Sequence, residues 1–421
     1  MTSFWRIFWL EFTGLVRSRT LAMLTVAGVL WMLVFPSLVK GDGTTAGARE
    51  LYVHFSLGGV FVLLVVSLLA SATGSLASER TARRLQLTMV RPVRYIAIAL
   101  GKILAHVAAG AFVLACACLV LALKSDLARP CSHVLSPVLP TPREEALAMY
   151  ASYMADPETP EMVRRAKRDV VLRLLEQRAS DHYQTVSTNE TALWTFALPP
   201  LAVGAGASVA VRMRFTNQME MRQDVVGDFR FGDLSASVSN MTQAVLEIPL
   251  GTSAEALAGK VGLSFANRGK SAVMLRPRKD LSLLIPADTF GANLLRAFLV
   301  LVALLTAVVS AGVFLSAALG RPVALFVAFV ALVVGEMSPS VLDQYPDSLE
   351  TGLADRIGLH ISRFAATVTR PVSAASPLES LARDECVEPS KAAELAVVDF
   401  LAVPLAFSLL AAFVLPRKQE D

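Results

Sequence analysis

Glu79-Arg80-Thr81-Ala82-Arg83-Arg84-Leu85-Gln86-Leu87-Thr88-Met89-Val90-Arg91-Pro92-Val93-Arg94 separates two long apolar runs, 55–77 and 95–123. Six basic residues fall between Arg80 and Lys102, preceded by a single acid, Glu79. A short basic loop between two spans belongs on the cytoplasmic side of a membrane by the positive-inside bias. The stretch is also patterned as a short helix that ends before Pro92, because the residue ahead of a proline disfavours the α region. A basic, helix-forming loop beneath a membrane domain is suited to touching a partner in the cytosol.

Working outward, the hydrocarbon core takes about 20 apolar residues per helix. Runs at 20–39, 55–77, 95–123, 292–319, 322–336 and 393–415 meet or approach that length. Lys102 enters the third run and is expected to snorkel back to the interface. The fifth run is short, yet Gly320-Arg321-Pro322 reads as a tight basic turn suited to a cytoplasmic hairpin. Without that crossing, the C-terminal Arg417-Lys418 would fall outside, against the charge bias. Six spans with both ends cytoplasmic is the consistent solution. The chain is 54% hydrophobic and 18% charged, with mean hydropathy +0.54, which agrees with an integral membrane protein. Its arginines cluster beside apolar runs and not along one soluble face, which argues against nucleic-acid binding.

The opening segment, Phe4-Trp5-Arg6-Ile7-Phe8-Trp9-Leu10-Glu11-Phe12, is aromatic and amphipathic and lacks a small-residue signal cleavage site. It reads as an interfacial helix over 1–19, or as an extension of the first span. Trp5, Trp9 and Trp31 suit interfacial anchoring.

The character changes over 124–291. Residues from Arg143 to about Tyr183 read helical, broken at Pro157 and Pro160. Ser208–Phe215, Val261–Phe265 and Leu281–Ile285 alternate polar and apolar, as strands do. Gly227-Asp228, Gly251-Thr252 and Asn267-Arg268-Gly269 are expected to punctuate them as turns. The fold class is therefore a polytopic α-helical membrane protein with six transmembrane helices and an inserted extracytoplasmic α+β domain, helical plus β-sandwich-like. In order: the 1–19 helix, spans one to three over 20–123, the external domain 124–291, and spans four and five over 292–336. An outer loop, 337–392, with a short helix expected over Leu353–Ala366, leads to span six and a cytoplasmic tail over 393–421.

Residues 79–102 resemble the membrane subunits of type-2 ATP-binding-cassette transporters. The likeness lies in Glu79-Arg80, a short helix with Leu85 and Leu87, then Arg91-Pro92-Val93-Arg94, and Gly101-Lys102. Where that family usually reads Gly-Thr-Leu-Glu, this chain reads Arg83-Arg84-Leu85-Gln86. The resemblance implies that 79–94 is a coupling helix resting on a separate ATPase subunit. Glu79, Arg80, Leu85, Leu87, Arg91, Pro92 and Arg94 would carry the contact. It also implies a pair of permease subunits, identical or paralogous, with ATP-Mg held by the ATPase and no cofactor in this chain.

No nucleotide site of its own is legible. Gly269-Lys270-Ser271 has Ser264 where a phosphate-binding loop needs its first glycine, and reads as a turn. Gly204-Ala205-Gly206 has Val209 in place of a third glycine. The five histidines form no zinc-protease pair, and no G-x-S-x-G elbow precedes a helix. An enzyme is therefore not expected. His106 and Asp399 lie in apolar runs, where ionisable groups are candidates for a translocation path. The alternatives are a position near the interface for His106 and an interhelical bond for Asp399. Small residues on span four (Ala303, Ala307, Ser310, Ala311, Gly312) and span two (Ser71, Ala72, Gly74, Ser75) allow close helix approach, within one subunit or between two. Cys131 and Cys386 fall in external segments and are candidates for a disulfide. The rival functional class is a membrane receptor or scaffold that uses 124–291 to bind an external ligand or partner.

Overall fold

The computed structural model describes residues 3–38, 47, 50–82, 94–157, 161, 164, 166–180, 182–203, 208–216, 223–242, 245–252, 257–344 and 377–417. The chain divides into a helical unit, residues 1–129 with most of 289–421, and a β-rich unit built on Pro130–Asp288.

The helical unit begins with α1 (Ser3–Arg17) and α2 (Thr20–Leu38). They are separate helices: Arg19 sits at φ 59°, in the left-handed region that breaks a continuous helix. A π-helical turn (Leu51–Leu57) runs into α3 (Gly58–Thr81), and α4 spans Tyr95–Lys124. After the β-rich unit come α8 (Phe290–Ala318), α9 (Arg321–Gln344), α10 (Pro377–Ala382) and α11 (Pro389–Val397). A second π-turn (Val398–Ala402) joins α11 to α12 (Val403–Arg417). Pro404 accounts for the widened turn. It has no N–H to offer the carbonyl of Phe400, four residues earlier, and its ring crowds that oxygen.

Among the described residues, five helices are long and apolar enough to cross a membrane: Thr20–Leu38, Leu51–Thr81, Tyr95–Lys124, Phe290–Ala318 and Ala392–Pro416. In α9 the apolar part is the shorter Arg321–Val334. The centre of the unit is α4 and α8, 56% and 61% buried over their apolar windows, against 11% for α2 and 22% for the last helix. The peripheral helices instead expose large apolar side chains, among them Leu33, Phe326, Leu409 and Phe413, as a surface meeting lipid would.

Helix directions follow from the contacts. Trp31 Nε1 donates to Phe55 O at 3.3 Å, so α2 ends beside the start of α3. Lys102 meets Glu79, so α3 ends beside the start of α4. Ser316 and Leu319 of α8 and its C-cap meet residues 76–80, so α3 and α8 end together and run parallel. Asn293, near the start of α8, holds Glu385 O and Val387 N, each at 2.7 Å, just ahead of α11. Phe314 then lies beside Phe407, with ring centroids 5.7 Å apart and the planes tilted by 39°. The last helix therefore runs parallel to α8, and the chain between them returns from the Gly320 end to the Asn293 end.

The small-residue faces are used inside the chain. A Cβ on Gly312 would lie 3.0 Å from Ala72 Cβ and 3.2 Å from Leu69 Cδ1, so α3 and α8 approach along them.

The β-rich unit carries β1 (Pro130–Leu135), α5 (Pro142–Ala155) and α6 (Arg168–Ser180), then β2 (Gln184–Val186), β3 (Thr191–Val203) and β4 (Ser208–Arg214). Strands β5 (Asp224–Phe231), β6 (Leu234–Met241), β7 (Val245–Thr252), β8 (Leu257–Asn267) and β9 (Val273–Leu275) follow. A single turn, α7 (Pro277–Asp280), leads to β10 (Leu281–Thr289). Two four-stranded sheets, β1-β10-β4-β7 and β3-β8-β5-β6, put their inward residues into one core. Phe215 and Phe229 pack on Phe265 at 4.9 and 4.7 Å, and Val211, Met213, Leu283 and Ile285 come from the facing sheet. Helix α5 opens with a capping box: Thr141 Oγ1 accepts from Glu144 N, and Glu144 accepts from Thr141 N.

Gly227-Asp228 is corrected. These residues lie inside β5 and not in a turn, with Gly227 opposite Asn267 in β8 and Val238 in β6. A Cβ on Gly227 would sit 2.4 Å from Phe265 Cε2, so the glycine is there to admit the ring. Asn267-Arg268-Gly269 is a turn held by one carboxamide. Asn267 Nδ2 donates to Val186 O and Ser271 O, and its Oδ1 accepts from Gly269 N. The Gly204–Gly206 stretch and the helix expected over 353–366 lie outside the described residues.

Candidate functional site

A cluster of charged and polar groups forms where α3 ends and α4 begins. Lys102, on the second turn of α4, is buried, and its Nζ donates to Glu11 Oε2 at 2.7 Å and Glu79 Oε1 at 2.8 Å. The lysine side chain is 3% exposed, against 19% and 29% for the two glutamates. The expected snorkelling is thus corrected: two carboxylates reach the ammonium, so it need not travel to water. Gly101 makes this possible by admitting α1. A Cβ there would come within 3.0 Å of Ile7 Cγ2 and 3.3 Å of the Phe8 backbone nitrogen.

Arg80 faces the other neighbour. Its Nη1 donates to Ala317 O at 3.0 Å and its Nη2 to Leu319 O at 3.2 Å, so a guanidinium closes the C-terminus of α8. A cation there satisfies orphan carbonyls and opposes the negative end of the helix dipole. One turn earlier, Ser316 Oγ accepts from the backbone amides of Leu76 and Ala77 at 3.0 and 2.9 Å. Arg321, at the start of α9, lies over Gly74, where a Cβ would be 3.1 Å from its Nε.

His106 stands one turn deeper than Lys102. Its Nδ1 is 2.9 Å from Lys102 O and its Nε2 is 3.1 Å from Ser71 Oγ. A carbonyl only accepts, so Nδ1 carries the hydrogen, and the ring bridges α3 and α4.

Of the sequence-predicted coupling residues, Glu79 and Arg80 stand in this cluster on the last turns of α3. Arg94 is exposed, and its carbonyl starts α4 by accepting from Ala97 N at 2.9 Å. Leu85, Leu87, Arg91 and Pro92 lie outside the described residues. Asp399 is elsewhere, buried in the π-turn before α12 with no hydrogen-bond partner for Oδ2 among the described residues. Cys131 is buried in the β-rich unit and Cys386 half-buried in the helical one; a peptide map without reduction tests their pairing.

Sequence reading did not single out Glu11, Ser71, Ser316 or Asn293 as site residues. Their partners lie 35 to 240 residues away in the chain, beyond any local pattern. The one usable signal was Glu11, a lone acid in an aromatic helix and a natural counter-ion for a lysine inside an apolar run. Among the described residues no group of three or more His, Cys, Asp or Glu is placed to hold a metal. The cluster's evident capacity is mechanical: it fastens α1, α3, α4 and α8 together on either side of residues 83–93. Comparison of the chain with models of protein families, with curated proteins and with solved structures finds no match.

Proposed function

We propose that this chain is the membrane-spanning permease subunit of a transporter driven by a separate ATP-binding-cassette ATPase, exporting or translocating a substrate across the cell membrane. It works beside a second permease copy or paralogue. The observation that supports this most is the tying of Glu11, Glu79, Arg80 and Lys102 at the two roots of the 83–93 segment. A push on that segment enters α3 through residue 82 and α4 through Arg94, and reaches α1 and α8 through the ion pairs and the α8 cap.

Six spans with both termini in the cytoplasm fit this reading. The parallel course of α8 and the last helix calls for a return crossing, and α9 has 24 residues for it, about 36 Å of helix. The end of the bundle holding Arg80, Lys102 and Arg321 is then cytoplasmic by the positive-inside bias, and the β-rich unit extracytoplasmic. ATP binding does work on the pore only if the coupling contact differs in free energy between two states of the permease.

Charge reversal at Arg91 and Arg94 (Arg91→Glu with Arg94→Glu) tests the proposal. The ATPase that co-purifies in mild detergent should be lost while the chain stays in the membrane. Undiminished co-purification, or labelling of a Thr88→Cys variant by an impermeant reagent from outside intact cells, would overturn it. Purification of the wild-type chain with an external ligand or partner and no ATPase would favour the receptor reading.

A further inference from the structure

We propose that Asp399 is a proton-binding site at mid-depth of the helical unit: its carboxyl holds a proton while the surrounding helices are closed and releases it to water when they part. The inference is independent of whether residues 79–94 dock on an ATPase.

The position follows from the packing of α12 on α8. Phe407 lies beside Phe314, and the two helices run parallel, which puts Asp399 at the level of Thr306, well inside both apolar segments. Asp399 is 1% exposed, and Oδ2 has no hydrogen-bond partner among the described residues. An ionised carboxylate without a partner is strongly disfavoured in such a place. A bound proton removes the charge without requiring a cavity, a metal or a counter-ion.

Among the described residues, the groups that could compensate it otherwise can be named. The Val398–Ala402 turn packs on α8 and on its flanking helices α11 and α12. The charged residues of α8 reduce to Arg296, about 15 Å away along the axis from the level of Thr306. Helix α11 carries Lys391 and Glu394, and α12 carries Arg417 near its far end. Glu394 is exposed, whereas Asp399 is on the buried face. Helix α4, which packs on α12, carries Tyr95, Lys102, His106, Cys116, Cys118 and Lys124; Lys102 is engaged by two glutamates and His106 by Ser71. The hydroxyls of α8 are engaged too: Thr306 Oγ1 donates to Val302 O at 2.8 Å and Ser310 Oγ to Thr306 O at 2.6 Å.

The π-turn is a second, independent observation. A widened turn interrupts the regular ladder at the residue that carries the acid, and such bulges concentrate at functional sites. It supplies the local slack by which α11 and α12 can separate from α8 and let water reach the carboxyl.

Infrared spectroscopy of the full-length protein in lipid tests this. The wild type should show the C=O stretch of a protonated carboxyl at neutral pH, and Asp399→Asn should lack it. An unchanged band in that variant would overturn the proposal. Should the variant fail to accumulate, dicyclohexylcarbodiimide, which attacks protonated carboxyls in apolar surroundings, decides the matter on the wild type. Label on Asp399 that falls several-fold from neutral to alkaline pH supports the site. No label on Asp399 across that range, in the intact protein, overturns it.

Discussion

Lys102 reaches Glu11 across 91 residues of sequence, and the 2.7 Å contact fixes the N-terminal helix to the root of α4. The ammonium is buried while both its partners keep some contact with water. Lys102→Met should therefore destabilise the helical unit by about 2 kcal/mol, below the usual figure for breaking a fully buried pair. Thermal unfolding in detergent reads it. Glu11→Gln made in the Lys102→Met background should add little, since its partner is already gone.

Gly227 and Gly262 make opposite predictions within the two strands β5 and β8. A Cβ on Gly227 would collide with Phe265 and with Ala266 O at 2.6 Å, so Gly227→Ala should cost about 2 kcal/mol or more. At Gly262 the nearest atom is the end of the exposed Leu193 side chain at 3.4 Å. Gly262→Ala should stay within about 0.5 kcal/mol of wild type. Denaturant titration of the two variants, followed by Trp194 fluorescence, separates them.

Asn293, itself buried, makes two hydrogen bonds to the segment that leads into α11. Asn293→Ala should loosen residues 377–388 by about 2 kcal/mol without unfolding the bundle. Faster amide exchange confined to that segment is the expected signature, and a change spread over all helices would contradict it.

Asp228 on β5 and Ser237 on β6 are cross-strand partners, joined at 2.7 Å. That hydroxyl, and Arg268 at 3.4 Å, hold the Asp228 carboxyl below the usual carboxylate range. Its folded value is the lower of the two. The stability it contributes is therefore complete above the unfolded value and disappears as pH falls through the folded one. The difference in unfolding midpoint between wild type and Asp228→Asn should thus be present at neutral pH and close in acid. A difference that stays constant with pH would rule this out.

The local patterns were readable where a single period governs. Ser208–Arg214 alternates polar and apolar, and the strand follows the alternation residue by residue. Thr20–Leu38 was readable from unbroken apolar length, and Phe290–Ala318 from the long apolar run that follows Arg296. Gly227 misled because a glycine signals a turn or a close approach equally well, and the ring that decides belongs to Phe265, on another strand. Lys102 misled because snorkelling is the default for an isolated lysine, and only the fold reveals that Glu11 and Glu79 are there. The π-turn was latent in Pro404, although a proline in an apolar run foretells a break without saying which residue the widened turn will expose to its neighbours. Glu79 and Arg80 stand in a polar cluster at the end of α3, and the rest of the loop, Leu85 to Pro92, lies beyond the described residues.

Ser316 takes the amide hydrogens of Leu76 and Ala77, one turn above Glu79 and Arg80. The tail of α3 is thereby stapled sideways to α8 as well as along its own axis. A tug at residue 82 would then be shared laterally between two rods, so that stiffness at this joint, more than the strength of any one salt link, sets how far a displacement travels into the helical unit.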